Sequence, residues 1–161
     1  MIYEFCAENV TLLEKAMQAG ARRIELCDNL AVGGTTPSYG VTKAAVELAS
    51  NYDTTIMTMI RPRGGDFVYN ELEISIMLED IRLTAQAGSQ GVVFGVLTAD
   101  KKLDKANLEK LIAASKGMEI VFHMAFDDLS DQDQLEAIDW LSQAGVTRIL
   151  TRAGVSGDSL E

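Results

Sequence analysis

QAGARRIELC, residues 18–27, closes a helix, turns on a glycine and enters an apolar strand. The phrase returns as QAGSQGVVFG (86–95) and QAGVTRILTR (143–152). In each copy a glycine stands where a helix ends on a left-handed residue, and a short apolar run follows. The copies start 68 and 57 residues apart, which leaves room for two strand–helix units per interval. NYDTTIMTMI (51–60) and SKGMEIVFHM (115–124) fill the intervening places without the Gln-Ala-Gly. Strands are therefore predicted near 2–6, 22–27, 54–60, 91–97, 118–124 and 147–151. Helices are predicted near 9–19, 40–50, 71–87, 105–115 and 131–143. Asn70 or Glu71 opens the third helix and Ser130 or Asp131 the fifth. Leu72, Ile76, Leu78, Ile81 and Leu83 mark the apolar positions of the third.

Strands and helices that alternate at about 27 residues per unit imply an α/β fold with a parallel sheet. No GxGxxG follows the first strand, so a TIM-type (β/α) barrel is favoured over a dinucleotide-binding sheet. A full barrel takes eight units and about 250 residues. About six units are present here, read as one domain over residues 1–161. The chain is thus expected to be a fragment, a six-unit fold, or completed by a second copy.

Net charge is −10, from 14 basic and 24 acidic side chains, and basic residues form only small clusters. That argues against nucleic acid and anionic membrane as partners. No run of 18 apolar residues suggests a membrane span. The N-terminus MIYEFCAENV lacks the basic and apolar regions of a secretory signal, so a cytoplasmic location with reduced thiols is expected.

In such barrels chemistry gathers at the C-terminal ends of the strands. The chain's two cysteines recur in one pattern, Glu4-x-Cys6 on strand 1 and Glu25-x-Cys27 on strand 2. A period of two puts each Glu and Cys on one face, and neighbouring strands lie about 4.8 Å apart, so the thiols can meet. Soft thiolates suit Cu(I); two small buried residues that merely pack is the other reading. Buried Glu4 and Glu25 need partners, and Arg61 and Arg63 in RPRGG (61–65) are the candidates. The same arginines could instead clamp a carboxylate or phosphate. His123, the single histidine, with Asp127 is a candidate acid–base pair or an extra ligand, or a hydrogen-bonded structural histidine. GGTTPS (33–38) is a turn and helix cap, or a loop folded over the mouth. The methionines Met57, Met59, Met77, Met118 and Met124 form no Met-x-x-Met cluster and read as core filling. GDSL (157–160) sits at the end of the chain, wrongly placed for a hydrolase nucleophile.

Taken together, RIELCDNLAVGGTTPSYG (23–40), MIRPRGGDFVYNELE (59–73), GVVFGVLTADKKLD (91–104), FHMAFD (122–127) and RILT (148–151) resemble the CutC family of copper homeostasis proteins. The resemblance runs along essentially the whole chain. It implies a TIM-like barrel, a cytoplasmic and usually homo-oligomeric protein, and copper tolerance with Cu(I) as the bound ion. The family's metal-binding cysteines match Cys6 and Cys27, its Arg-Pro-Arg matches Arg61–Arg63, and its strand-5 His and Asp match His123 and Asp127. Relative to the family, the chain is C-terminally incomplete by two βα units, and Met124 stands where the family form carries Arg. The loss either removes a positive charge from the site or falls on the helix layer. An uncharacterised barrel enzyme acting on a small anionic metabolite is the alternative function.

Overall fold

The helix ends in the repeat behave as the sequence requires. Gly20, Gly88 and Gly145 have φ of 101°, 90° and 93°, a conformation that costs glycine nothing. A computed structural model describes residues 1–152; the GDSL stretch lies outside the described residues. The elements run β1 (Glu4–Glu8), α1 (Leu13–Gln18), β2 (Arg23–Cys27), α2 (Tyr39–Ala49), β3 (Thr55–Met59), α3 (Glu71–Ala87), β4 (Gly91–Phe94), α4 (Lys105–Ala114), β5 (Glu119–Phe122), α5 (Asp131–Gln143) and β6 (Arg148–Ile149). Short 3₁₀ turns cover Leu30–Val32 and Met124–Asp128. The six strands are parallel and ordered β1 to β6 without a crossover. They form an open, strongly curled half-barrel flanked by helices.

Capping resolves two of the alternatives. Asn70 opens α3 with a reciprocal capping box: its side chain accepts from Glu73 N at 3.0 Å, and Glu73 Oε2 accepts from Asn70 N at 2.9 Å. Ser130 caps α5 by accepting from Asp133 N at 3.2 Å. The first helix starts at Leu13 rather than at residue 9, because Asn9 and Leu12 take positive φ, which breaks a helix. In α3 the core face is Ile74, Met77, Ile81, Thr84 and Ala87, whereas Leu72 and Ile76 are exposed. Small and polar Ala87 and Thr84 take inward positions that a purely apolar pattern overlooks.

The two faces of the sheet hold different cores. On the helix side, Ala7, Ile24, Leu26 and Ile56 pack with Leu13, Met17, Ala45 and Ala49. A larger cluster around Phe94, Phe122, Leu108 and Leu111 continues under α3, α4 and α5. Inside the curl, Cys27, Met57, Met59, Val93 and Val121 form a separate cluster. The register aligns Cys6, Glu25, Met57, Gly91 and Glu119 across the strands. Every second residue of each strand therefore faces the concave side, and Glu25 and both thiols are among them.

Candidate metal centre and the adjoining cavity

Cys6, Glu25 and Cys27 converge inside the curl. The two sulfurs lie 3.9 Å apart, and Glu25 Oε1 is 3.8 Å from each. Both cysteines are free thiols, and their separation is far beyond the roughly 2.05 Å of a disulfide. Cys6 is exposed on the first strand of the sheet; Cys27 is fully buried. The asymmetry sets their protonation. Cys6 is pushed below the ordinary thiol range because the Cys27 thiol donates to it, with burial and Glu25 opposing. Cys27 is pushed up, as the donor to Cys6 and as the buried partner. Glu25 is raised to about 7, chiefly by burial and then by the charge of Glu4, against lowering by the two thiols.

The ion pairs differ from those expected of Glu4 and Glu25. Among the described residues neither Arg61 nor Arg63 pairs with either. Glu4 pairs with Arg23 at 3.4 Å, across the β1–β2 register. Arg63 pairs with Glu73 at 2.5 Å and Asp66 at 3.0 Å and stacks over Tyr69, at the outer side of the loop. Its partner Glu73, the capping-box residue of α3, was not singled out from the sequence. Arg61 turns inward and donates to three backbone carbonyls, those of Val32 (2.8 Å), Gly34 (2.9 Å) and Gly65 (2.7 Å). The physical reason is the loop path: Gly33, Gly34 and Gly65 all adopt positive φ, which turns the carbonyls of Val32, Gly34 and Gly65 onto the guanidinium. Glu25 is left to the thiols.

GGTTPS serves both readings at once. Ser38 caps α2, accepting from Val41 N, while Thr36 bonds the backbone of Arg61. Gly34 lies over the buried thiol, where a Cβ would sit 3.1 Å from Cys27 Sγ. Gly34→Ala is therefore expected to slow alkylation at Cys27 and to strain a φ of 88°, costing about 1 kcal/mol or more; thiol-labelling kinetics and a denaturant midpoint check this.

A cavity of about 150 Å³ opens beside the cluster, with Glu25, Met59, Arg61, His123, Met124 and Asp127 on its wall. His123 is buried, and its Nδ1 accepts from Ala125 N at 3.1 Å. Burial, and secondarily the Arg61 charge, lowers it to about 3. Asp127 does not hydrogen-bond His123; it accepts from Thr151 Oγ1 and from Arg152 N. The two candidates line one cavity without a hydrogen bond between them. Met124 faces the cavity too, and the Arg152 Nε donates to its sulfur at 3.0 Å. The position thus lies at the site and not in the helix layer. Phe67 was not singled out from the sequence: its ring lies 4.8 Å from that of His123 and 4.9 Å below the Arg61 guanidinium. Only its place in RPRGGDF hinted at it.

These features define a (β/α) half-barrel with a thiol–carboxylate donor cluster on the inner face of its first two strands. The CutC family model matches residues 1–161, and the chain belongs to the CutC family. A CutC of Enterococcus faecalis is 53% identical over 161 residues, covering 100% of this chain and 77% of that protein. A CutC of Bacteroides thetaiotaomicron is 42% identical over 149 residues, covering 92% of this chain and 58% of its own. The crystal structure of CutC from Streptococcus agalactiae is 47% identical with a TM-score of 0.95, covering 98% of this chain and 75% of that one. An archaeal fructose 1,6-bisphosphate aldolase, 15% identical with a TM-score of 0.62 over 86% of this chain and 52% of that one, shares the fold.

Proposed function

We propose that the protein binds Cu(I) through Cys6 and Cys27, with Glu25 as third donor, and handles copper as cargo. One observation carries the reading: the donor triangle has sides of 3.8, 3.8 and 3.9 Å. The centre of such a triangle lies about 2.2 Å from each corner, close to a metal–thiolate bond of about 2.3 Å. Two sulfurs favour a soft ion. The thiol protons must leave when the ion enters, so affinity rises with pH. The Streptococcus agalactiae relative bears a copper-homeostasis name, which agrees. A cytosolic setting, which keeps thiols reduced, fits the chemistry. The homo-oligomer implied by the family resemblance is to be read from the native mass.

Competition between the reduced protein and a chromogenic Cu(I) chelator tests the proposal. Cys6→Ala and Cys27→Ala are each expected to weaken Cu(I) binding by about tenfold or more, a loss of about 1.4 kcal/mol or greater. Wild-type affinity in both variants would remove the copper site.

The second reading, an enzyme for a small anionic metabolite, draws support from Arg61 and His123 in the cavity. His123 is held neutral, which suits a fixed hydrogen-bond donor better than a group that exchanges protons near neutrality. Imidazole ¹⁵N shifts are expected to show it still neutral at about pH 5; protonation there would restore it as an acid–base candidate.

A further inference from the structure

Among the described residues Arg61 has no ion-pair partner. It is 4% exposed. Its Nη atoms are taken by neutral carbonyls, and its Nε is buried with no partner among the described residues. The Tyr69 hydroxyl, also buried, makes no well-formed bond to it. A buried cation without a counter-ion, with one donor unused, is costly.

A second donor on the same cavity is also unused. Because His123 Nδ1 accepts the Ala125 N–H, the proton of the neutral ring resides on Nε2. That Nε2 is buried and has no acceptor among the described residues, although His123 is only 3% exposed. Phe67 touches both groups and fixes them on one wall. A water molecule could take the hydrogen bonds but would leave the charge uncompensated. The cavity also exposes Glu25, Asp127 and Asp128, which oppose an anion. Asp127 is already engaged by Thr151 and Arg152. At about 150 Å³ the space is well below the roughly 300–1,000 Å³ of typical ligand pockets, so it suits a group of a few heavy atoms.

We propose that this cavity binds a small oxyanion, a carboxylate or phosphate group, that accepts hydrogen bonds from His123 Nε2 and Arg61 Nε and acts as counter-ion to Arg61. The site adjoins the thiol cluster through Glu25, which lines the cavity and lies 3.8 Å from both sulfurs. The proposal deepens the second reading as to binding alone. It assigns no reacting group and does not depend on copper, so a turnover assay and the experiment below fail independently.

The test uses the whole, metal-free, ¹⁵N-labelled protein, titrated in parallel with inorganic phosphate and with acetate at constant ionic strength in chloride. The single histidine makes the Nε2–H signal unambiguous. Both that proton and the Arg61 Nε–H are expected to shift saturably, and the tighter probe tells phosphate from carboxylate. His123→Phe, which keeps a ring but loses the donor, is expected to weaken binding about tenfold, as is Arg61→Lys, which keeps the charge but loses the guanidinium fork. No saturable shift with either probe, or unchanged affinity in His123→Phe, would overturn the site. Should Arg61→Lys fail to fold, the wild-type titration and His123→Phe decide.

Discussion

Gly91→Ala is expected to destabilise the protein by about 3 kcal/mol or more, the upper part of the range for overpacking a filled core. Gly91 begins β4 and faces the concave side between Met57 and Glu119. A Cβ there would stand 2.0 Å from Met57 Cε, 2.6 Å from its sulfur and 2.8 Å from the Glu119 carbonyl oxygen. Met57 is fully buried among Cys27, Met59, Val93 and Val121 and has little room to swing away. The carbonyl belongs to the neighbouring strand, so its retreat disrupts the β4–β5 ladder. A denaturant midpoint measures the loss. Met57→Ala in the Gly91→Ala background should recover the part due to the thioether and leave the part due to the carbonyl. If Gly91→Ala unfolds within about 0.5 kcal/mol of wild type, the tight packing inside the curl is refuted.

The second large effect concerns Glu25. Its carboxyl titrates at about 7 when folded, against 4.5 as the ordinary value. Between those values the folded state binds more protons than the unfolded one, so this group makes stability fall as pH rises. The penalty is complete above pH 7 and amounts to about 3 kcal/mol. Glu25→Gln is therefore expected to stabilise the metal-free protein by about that much above neutrality and by little near pH 4. His123 acts in the opposite sense. Its folded value of about 3 lies below the ordinary 6.5, so the unfolded state binds more protons between them and stability rises with pH across that window. Where the windows overlap, between 4.5 and 6.5, the two slopes offset each other in the wild type. Glu25→Gln removes one of them and leaves the rise due to His123. Chemical unfolding of both proteins across this range checks the signs; a Glu25→Gln profile parallel to that of wild type would show that Glu25 is not buried as described.

Glu25 and its thiol neighbours mark how far the sequence carried. Period two alone put Glu25 and Cys27 on one face, and the repeat put Cys6 on the adjoining strand; the 3.9 Å approach of the sulfurs follows from that register. Helix ends were readable for a similar reason, since Asn70, Ser130 and the repeat glycines act within a few residues of themselves. Arg61 and Arg63, on either side of Pro62, were indistinguishable as guanidinium groups in a polar loop. Which one points inward depends on how two loops cross.

What the sequence by itself determined is the order of six parallel strands, their helices and the thiol pair, because local periodicity and backbone preference act over a few residues. Tertiary structure alone decided the charges. It gave Arg63 to Glu73, wrapped Arg61 in the carbonyls of Val32, Gly34 and Gly65, and left Glu25 to the sulfurs. It also brought Met124, Phe67 and His123 onto one cavity. Long side chains reach partners that lie far away in sequence, so which acceptors a guanidinium donates to depends on how the loops pack around it.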